Sequence, residues 1–366
     1  MWNSIIRNFR WQRNVDRKGP RHLAVVELEP GSSKVVVLNR NEKAIDWESA
    51  QVVSPPPSSD HSLARCLDSA LAHVESSVQY VSVVVGDGAG IVRLLNFPGT
   101  PPTMSKNMLD QARQALGVDE SYLVRHELTR GSSAKGERPG RETPASGEQG
   151  KKEYTVLAAA IKRELADQLH HCIQEAGLTP VSLLLGGVAS INLADAECER
   201  VRDDQSAGFL AVGAHSSMLL LYHHKQLALA RQFKTGTRSL VESLMASFDL
   251  DRKTAEEILA SGSFDLSGNI TSSANNWIHQ IGISLDFIER RFGQSVEKLH
   301  LACEGTGGRV LRNMLVDKIG DRVGEWEDFQ ALQGLKSSAD KGDMRPVDFA
   351  YALCEGVRIM RQGTGN

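Results

Sequence analysis

Two stretches of this chain repeat one order of segments: a strand, a small-residue turn, a returning strand, then a further strand and helices. In the first, LAVVELE (23–29) runs into a Gly-Ser-Ser turn (31–33) and VVVL (35–38). In the second, GFLAVGA (208–214) is followed by SMLLLYHH (217–224) and LALARQFKTG (227–236). Short apolar runs bounded by turn residues read as buried strands of a hairpin. A duplicated strand–turn–strand unit followed by helices restricts the fold to two related α/β subdomains. With 366 residues the chain is long enough for both.

Between and after the hairpins the pattern alternates. SPPPSSD (54–60) is a loop, and helix 61–76 carries Leu63, Cys66, Leu67, Ala70, Leu71 and Val74 on one face. YVSVVVG (80–86) and GIVRLLNFP (90–98) are strands divided by Gly86-Asp87-Gly88, and SKNMLDQARQAL (105–116) is a helix. Residues 129–153 contain almost no apolar side chain, too little to offset the entropy of ordering, and are expected to form a disordered loop. Strand 154–160, helix 162–176, strand 176–186 and helix 188–201 complete the first half. In the second half, helices 237–248 and 252–260 precede helix 274–292, whose Trp277, Ile281, Leu285, Ile288 and Phe292 form a core-facing stripe. Strand 298–303 leads to EGTGG (304–308) and helix 309–319, and helix 346–362 is the last element.

Composition excludes several classes. The chain is 41% hydrophobic and 24% charged, ordinary for a globular protein. Net charge is −3, so no global basic field draws it to nucleic acid. Its five cysteines, Cys66, Cys172, Cys198, Cys303 and Cys354, are scattered without a paired spacing, which argues for reduced thiols and against a zinc site. The adjacent pairs His170-His171 and His223-His224 point their rings apart rather than at one metal. No apolar run is long enough to span a bilayer and no signal peptide is recognisable, so a cytoplasmic protein is expected.

Charge is unevenly spread. Arg7, Arg10, Arg13, Arg17, Lys18 and Arg21 against Asp16 alone give the first 22 residues +5, leaving −8 for the remainder. Trp2, Ile5, Ile6 and Phe9 stand at i, i+3, i+4 and i+7 beside Arg7 and Arg10. This basic arm, residues 1–21, reads as a short amphipathic helix suited to an anionic membrane surface or a partner's groove. A frayed terminus is the competing reading.

Small residues at a hairpin tip let backbone N–H groups approach phosphates. The chain has such turns at 31–33 and 213–217, and a third at 305–308 that opens a helix. Tight turns use glycine with or without a ligand, so the three together, rather than any one, suggest a two-lobed nucleotide-binding architecture.

In these features the chain resembles the actin-like ATPase superfamily, and within it the PilM family of type IV pilus assembly proteins, over about residues 22–362. The likeness is carried by VVVGDGAGIVRLLNFPGTPPTMSKNMLDQARQALGV (83–118), EYTVLAAAIKRELADQLHHCIQEAGLTPVSLLLGGVASINLA (153–194) and FLAVGAHSSMLLLYHHKQLALARQFKTGTRSLVESL (209–244). It implies an α/β, two-lobed actin-like fold with an inserted subdomain. Residues 22–98 would form the first subdomain, completed by 173–206 and helix 346–362. Residues 99–172 would be an inserted peptide-binding subdomain, and 207–345 the second lobe with a helical part at 250–297. The implied partner is the short cytoplasmic N-terminal segment of a PilN-like single-pass inner-membrane protein, with no nucleic acid. A relative of the GspL-type secretion component, or an active ATPase or phosphotransferase of the same fold, are the alternatives.

The nucleotide motifs depart from that family. Aligned on Lys34, its first phosphate motif, Asp-Ile-Gly-Ser-Ser-x-x-Lys, is matched by Glu27-Leu28-Glu29-Pro30-Gly31-Ser32-Ser33-Lys34, with Glu29 where a glycine should approach phosphate. A carboxylate there repels an anion by ~1 kcal/mol at 4 Å even in water. Ala211 stands where the second motif has the aspartate that organises metal and water, and Glu304 enters the third motif. Passive ATP binding would use Ser32, Ser33, Lys34, Gly213, Ser216, Gly305, Gly307 and Gly308; the other reading is a structural cleft with no cofactor. No catalytic residue and no metal ligand is expected.

Overall fold

The computed structural model describes residues 9–10, 19–41, 44–56, 62–86, 88–99, 101, 105–129, 153–261, 272–305, 307–326, 328–337 and 345–362. In chain order the first half comprises β1 (Phe9–Arg10), β2 (His22–Glu29), β3 (Ser32–Arg40), β4 (Ile45–Val53), α1 (Leu63–Leu71), β5 (Tyr80–Val85) and β6 (Gly90–Pro98). It continues with α2 (Ser105–Leu116), β7 (Tyr122–Leu128), β8 (Glu153–Lys162), α3 (Arg163–Glu175), β9 (Thr179–Leu185) and α4 (Gly186–Cys198). The second half comprises β10 (Ser206–Val212), β11 (Ser217–His223), β12 (Gln226–Phe233), α5 (Thr237–Phe248), α6 (Arg252–Ser261) and α7 (Ser272–Phe292). β13 (Val296–Cys303), α8 (Gly308–Ile319), β14 (Val323–Glu325), β15 (Leu335–Ser337) and α9 (Ala350–Gln362) follow.

Among the described residues the strands form three sheets, ordered β1-β9-β5-β2-β3-β4-β15, β12-β11-β10-β13-β14 and β6-β8-β7. The first two each hold an antiparallel hairpin, β2–β3 or β10–β11, extended by a parallel strand, β5 or β13, beside its first member. That is the duplication read from the sequence. β2 and β5 are buried along nearly their whole length, as continuous Val/Leu runs covered on both faces must be.

Between the two large sheets lies α4. Every residue in it except Asp195 and Glu197 is buried, so it has no polar face and can exist only enclosed. The largest core accordingly runs from the first sheet through α4 to Phe209, Leu220 and Tyr222 of the second. A separate core beneath the far face of the second sheet gathers Trp277, Ile281, Leu285 and Ile288 of α7, while Phe292 is partly buried against it. Among the described residues no helix is long and apolar enough to cross a membrane.

The structure revises several expectations. Phe9 and Arg10 are extended, not helical: they pair antiparallel with Leu183 and Ser182 at the open edge of β9, whose backbone groups gain partners that a helix would not supply. Trp2, Ile5, Ile6 and Arg7 lie outside the described residues. β15, assigned to the second lobe, pairs with β4 in the first sheet. β6, assigned to the first subdomain, pairs with β8 of the inserted sheet, and α3, assigned to the insert, buries Ala166, Leu169 and Ile173 in the main core. β4 and β7 were not anticipated, because their mixed polar sequences lack the apolar runs of their neighbours. Of the expected loop 129–153, Glu153 belongs to β8, Thr129 donates to the Thr155 carbonyl, and residues 130–152 lie outside the described residues.

α9 rests on the first sheet through Gly356, where a Cβ would overlap Leu38 Cδ1 and stand 3.1 Å from Val25 Cγ2. All three residues are buried, so added volume has nowhere to go. Gly356→Val is expected to cost ~1–3 kcal/mol by overpacking, with Gly356→Ala milder. Urea unfolding followed by circular dichroism checks this; an unchanged midpoint for the valine variant would contradict the packing.

Candidate functional site

The site begins in strand alternation. Residues two apart on a strand share a face, and directly paired residues of adjacent strands sit side by side. Glu27 and Glu29 therefore project together from β2, and the β2–β3 register places Lys34 opposite Glu27. Lys34 Nζ donates to Glu27 Oε1 at 2.9 Å.

The other side of the cleft comes from the second sheet. Ala211 and Val212 at the end of β10 pair with Ala302 and Cys303 of β13, so the two strands end together. The N–H of Glu304 then donates to the Val212 carbonyl at 2.9 Å, which turns its side chain toward the first lobe. Glu304 Oε1 meets Lys34 Nζ at 2.7 Å. Lys34 thus joins the lobes.

Burial works against the Lys34 charge, but Glu27, Glu304 and Glu29 outweigh it and hold the ammonium well above the ordinary lysine range. Burial raises the Glu304 carboxyl, Lys34 opposes that, and Glu27 adds to it. Two further links cross the cleft. His215, in the β10–β11 turn, hydrogen-bonds the Pro30 carbonyl; burial, then Arg238, hold its pKa below the usual value. Gly305 donates its N–H to Asp348 Oδ1 at 3.0 Å, and Arg345 bonds both the Gly305 carbonyl and Asp348.

Of the eight residues anticipated for nucleotide, Lys34 and Gly213 line the cleft's cavity. Ser33 is turned away, its Oγ donating to the Cys66 carbonyl at 2.9 Å, while Ser32 stands at the hairpin tip opposite Glu29. The Ser216 carbonyl accepts the Gly213 N–H, and Gly305 has spent its N–H on Asp348. Gly307 precedes α8 and Gly308 begins it, close behind Cys303. Four donors that a phosphate could use, on Ser33, Lys34, Gly213 and Gly305, are thus engaged within the protein.

The cavity has about 20 Å³, room for roughly one water, and its lining mixes Glu27, Lys34, Glu304 and Asp348 with apolar side chains including Leu193, Trp326 and Phe329. Carboxylates face the space and the one lysine among them is already paired, so these residues as arranged do not fit a triphosphate with its metal. His215, Arg345 and Asp348 escaped the sequence reading, since nothing local links Asp348 to Gly305. Gly236 escaped too, although a Cβ there would overlap the carbonyl oxygens of Gly213 and Ala214, where α5 donates its first N–H groups.

The remaining candidates are structural. All five cysteines are free, four of them buried. The His223 and His224 rings do not diverge but lie edge to face at 4.1 Å; His223 stacks on Phe292, and burial brings its pKa down to about 4.

A chain of a PilM–PilN type IV pilus biogenesis complex matches this one with a TM-score of 0.70, covering 95% of this chain and 100% of that chain at 20% identity. In fold, the chain is PilM-like. The two lobes, their repeated sheets and the inserted sheet make it an actin-like fold. A Bacteroides thetaiotaomicron protein with actin-like ATPase fold and unknown function reaches a TM-score of 0.49 at 11% identity, over 93% of this chain and 98% of that one. The cytoplasmic domain of EpsL, an inner-membrane component of the Vibrio cholerae type II secretion system, reaches 0.39 at 8% identity, over 94% and 96%. No protein-family model matches, and no curated protein is similar in sequence.

Removing the ammonium leaves Glu27, Glu29 and Glu304 facing one another. Lys34→Met is expected to cost ~3–5 kcal/mol at pH 8, the magnitude for a buried ion pair that loses one member. Burial raises the Glu304 carboxyl in the folded state, and a carboxyl so raised binds its proton more tightly there than when unfolded, so the variant's deficit should narrow as pH falls toward 5. Urea unfolding at both pH values checks the size and the sign.

Proposed function

We propose that this protein is a cytoplasmic scaffold of a type IV pilus or related secretion machine, peripheral to the inner membrane. Its role is to hold the short cytoplasmic N-terminal segment of a PilN-like single-pass membrane protein. The observation that carries this is the whole-chain likeness to a chain of the PilM–PilN complex. The peptide would seat as an extended apolar strand in a groove beside the inserted sheet β6-β8-β7.

The cleft chemistry supports a scaffold over an ATPase. Ala211 supplies no carboxylate to organise attacking water, Glu29 stands at the hairpin tip, and Lys34 is engaged by Glu27 and Glu304. On this reading the lobes are held by side chains, and the protein works without turnover. The basic arm adds a second point of attachment. An anionic leaflet repels the −8 body and attracts the +5 arm, at ~1 kcal/mol for each cation near the surface.

Fluorescence anisotropy of the full chain with the labelled cytoplasmic peptide of a PilN-like protein should show saturable binding, with Kd on the order of micromolar. Absence of binding, together with ATP hydrolysis by the same preparation, would replace the scaffold with the ATPase. For the arm, the full chain should pellet with phosphatidylserine-containing vesicles and a chain starting at Arg21 should not. Equal pelleting of the two would remove the anchor.

A further inference from the structure

One side chain of the second lobe reaches into the first, and the backbone on both sides of it is fixed. Glu304 gives its N–H to the Val212 carbonyl. Gly305, directly after it, turns the chain at φ +72°, a conformation that side-chain-bearing residues rarely adopt. The Gly305 N–H is taken by Asp348 and its carbonyl by Arg345. The Glu304 carboxylate is thereby aimed before it meets anything, so little freedom is lost when it binds. Its Oε1 stands 2.7 Å from Lys34 Nζ, and its Oε2 lies over Gly213, where a Cβ would come within 3.7 Å of it.

The two carboxylates on Lys34 are not equivalent. Glu27 and Lys34 belong to one hairpin, so their bond is made whether the lobes are together or apart. The Glu304 bond crosses the cleft and exists only when the cleft is closed. Lys34 is buried, and among the described residues that line the cavity it is the one cation. An anion entering from solvent has to take Lys34 from Glu304, and it then faces Glu27 and Asp348 in the same lining. The Glu304 carboxylate is attached to the protein, so it competes at a high effective concentration that a free anion has to exceed.

We propose that Glu304 is a tethered anion that holds the place on Lys34 a diffusible phosphate or carboxylate would need. One contact then does two things: it shuts the cleft, and it keeps anionic ligands out. The disagreement between these residues and a triphosphate becomes an autoinhibitory contact built into the chain. The inference rests on the reading that side chains hold the lobes, and it names the side chain. It further implies that removing the Glu304 carboxylate uncovers an anion site on Lys34. A singly charged carboxylate restores the lost charge one for one and is the anion that site should accept.

The test is chemical rescue of the full chain, read as melting temperature. Glu304→Ala should melt several degrees below wild type. Sodium formate, a free carboxylate small enough for the vacated space, should return about half of that loss or more, saturably, against sodium chloride at equal ionic strength. Wild type and the Lys34→Met/Glu304→Ala double variant should show no such gain, since one has its own carboxylate and the other no ammonium. Glu304→Gln keeps the volume without the charge, so it should melt low and resist formate. Wild type should show no shift with ATP and Mg²⁺. A Glu304→Gln chain as stable as wild type, or a formate gain no larger in Glu304→Ala than in the double variant, would overturn the role of Glu304 alone. A wild-type shift with ATP, which needs no variant to fold, would overturn both that role and the reading beneath it.

Discussion

A buried lysine joins the halves of this protein. Lys34 is held by Glu27 across its own hairpin and by Glu304 across the cleft, and each bond exists because a sheet delivers its carboxylate. An ammonium so enclosed needs partners more than a surface one does, since the cost of desolvation is met only by close, well-directed bonds. The cleft is therefore closed by the chain's own charges. His215 on Pro30, and Asp348 with Arg345 on Gly305, reinforce the closure at the hairpin tip and at the start of the last helix.

Behind the cleft, α4 gives the lobes a shared interior. A helix buried all round except at Asp195 and Glu197 must be surrounded, and the two large sheets supply its walls. The inserted sheet carries α2 on one face and buries Val92, Leu157, Ala159 and Ile161 of the other in the same core. β1 on the edge of β9 joins Phe9 and Arg10 of the basic arm to the first sheet.

Much of the fold was legible. The Val- and Leu-rich runs of β2, β3, β5, β10 and β11 announced themselves, as did the stripe on α7, because burial on one or both faces writes its period into the residues. Polar strands did not. β4, with DWESAQ in its middle, and β7, with its Arg-His-Glu, are strands through their neighbours rather than through their own residues. The arm failed in the opposite direction: its apolar spacing fits a helix, yet at Phe9 and Arg10 the unpaired edge of β9 offers more than thirteen isolated residues could gain by coiling.

At the site the division is similar. Residue identities were readable in advance: a glutamate for a glycine at position 29, an alanine for an aspartate at 211, a glutamate inserted at 304. Identity and near-neighbour spacing are local, so the sequence by itself determined the duplicated hairpins, the order of elements and the carboxylates at the glycine-bearing turns. Only the tertiary structure decided that Lys34 meets Glu304, that Asp348 takes the Gly305 N–H, and that β15 crosses to the first sheet. Those partners lie far apart in the chain. They meet because two sheets close around one apolar helix, a long-range packing that leaves no period in the residues it brings together.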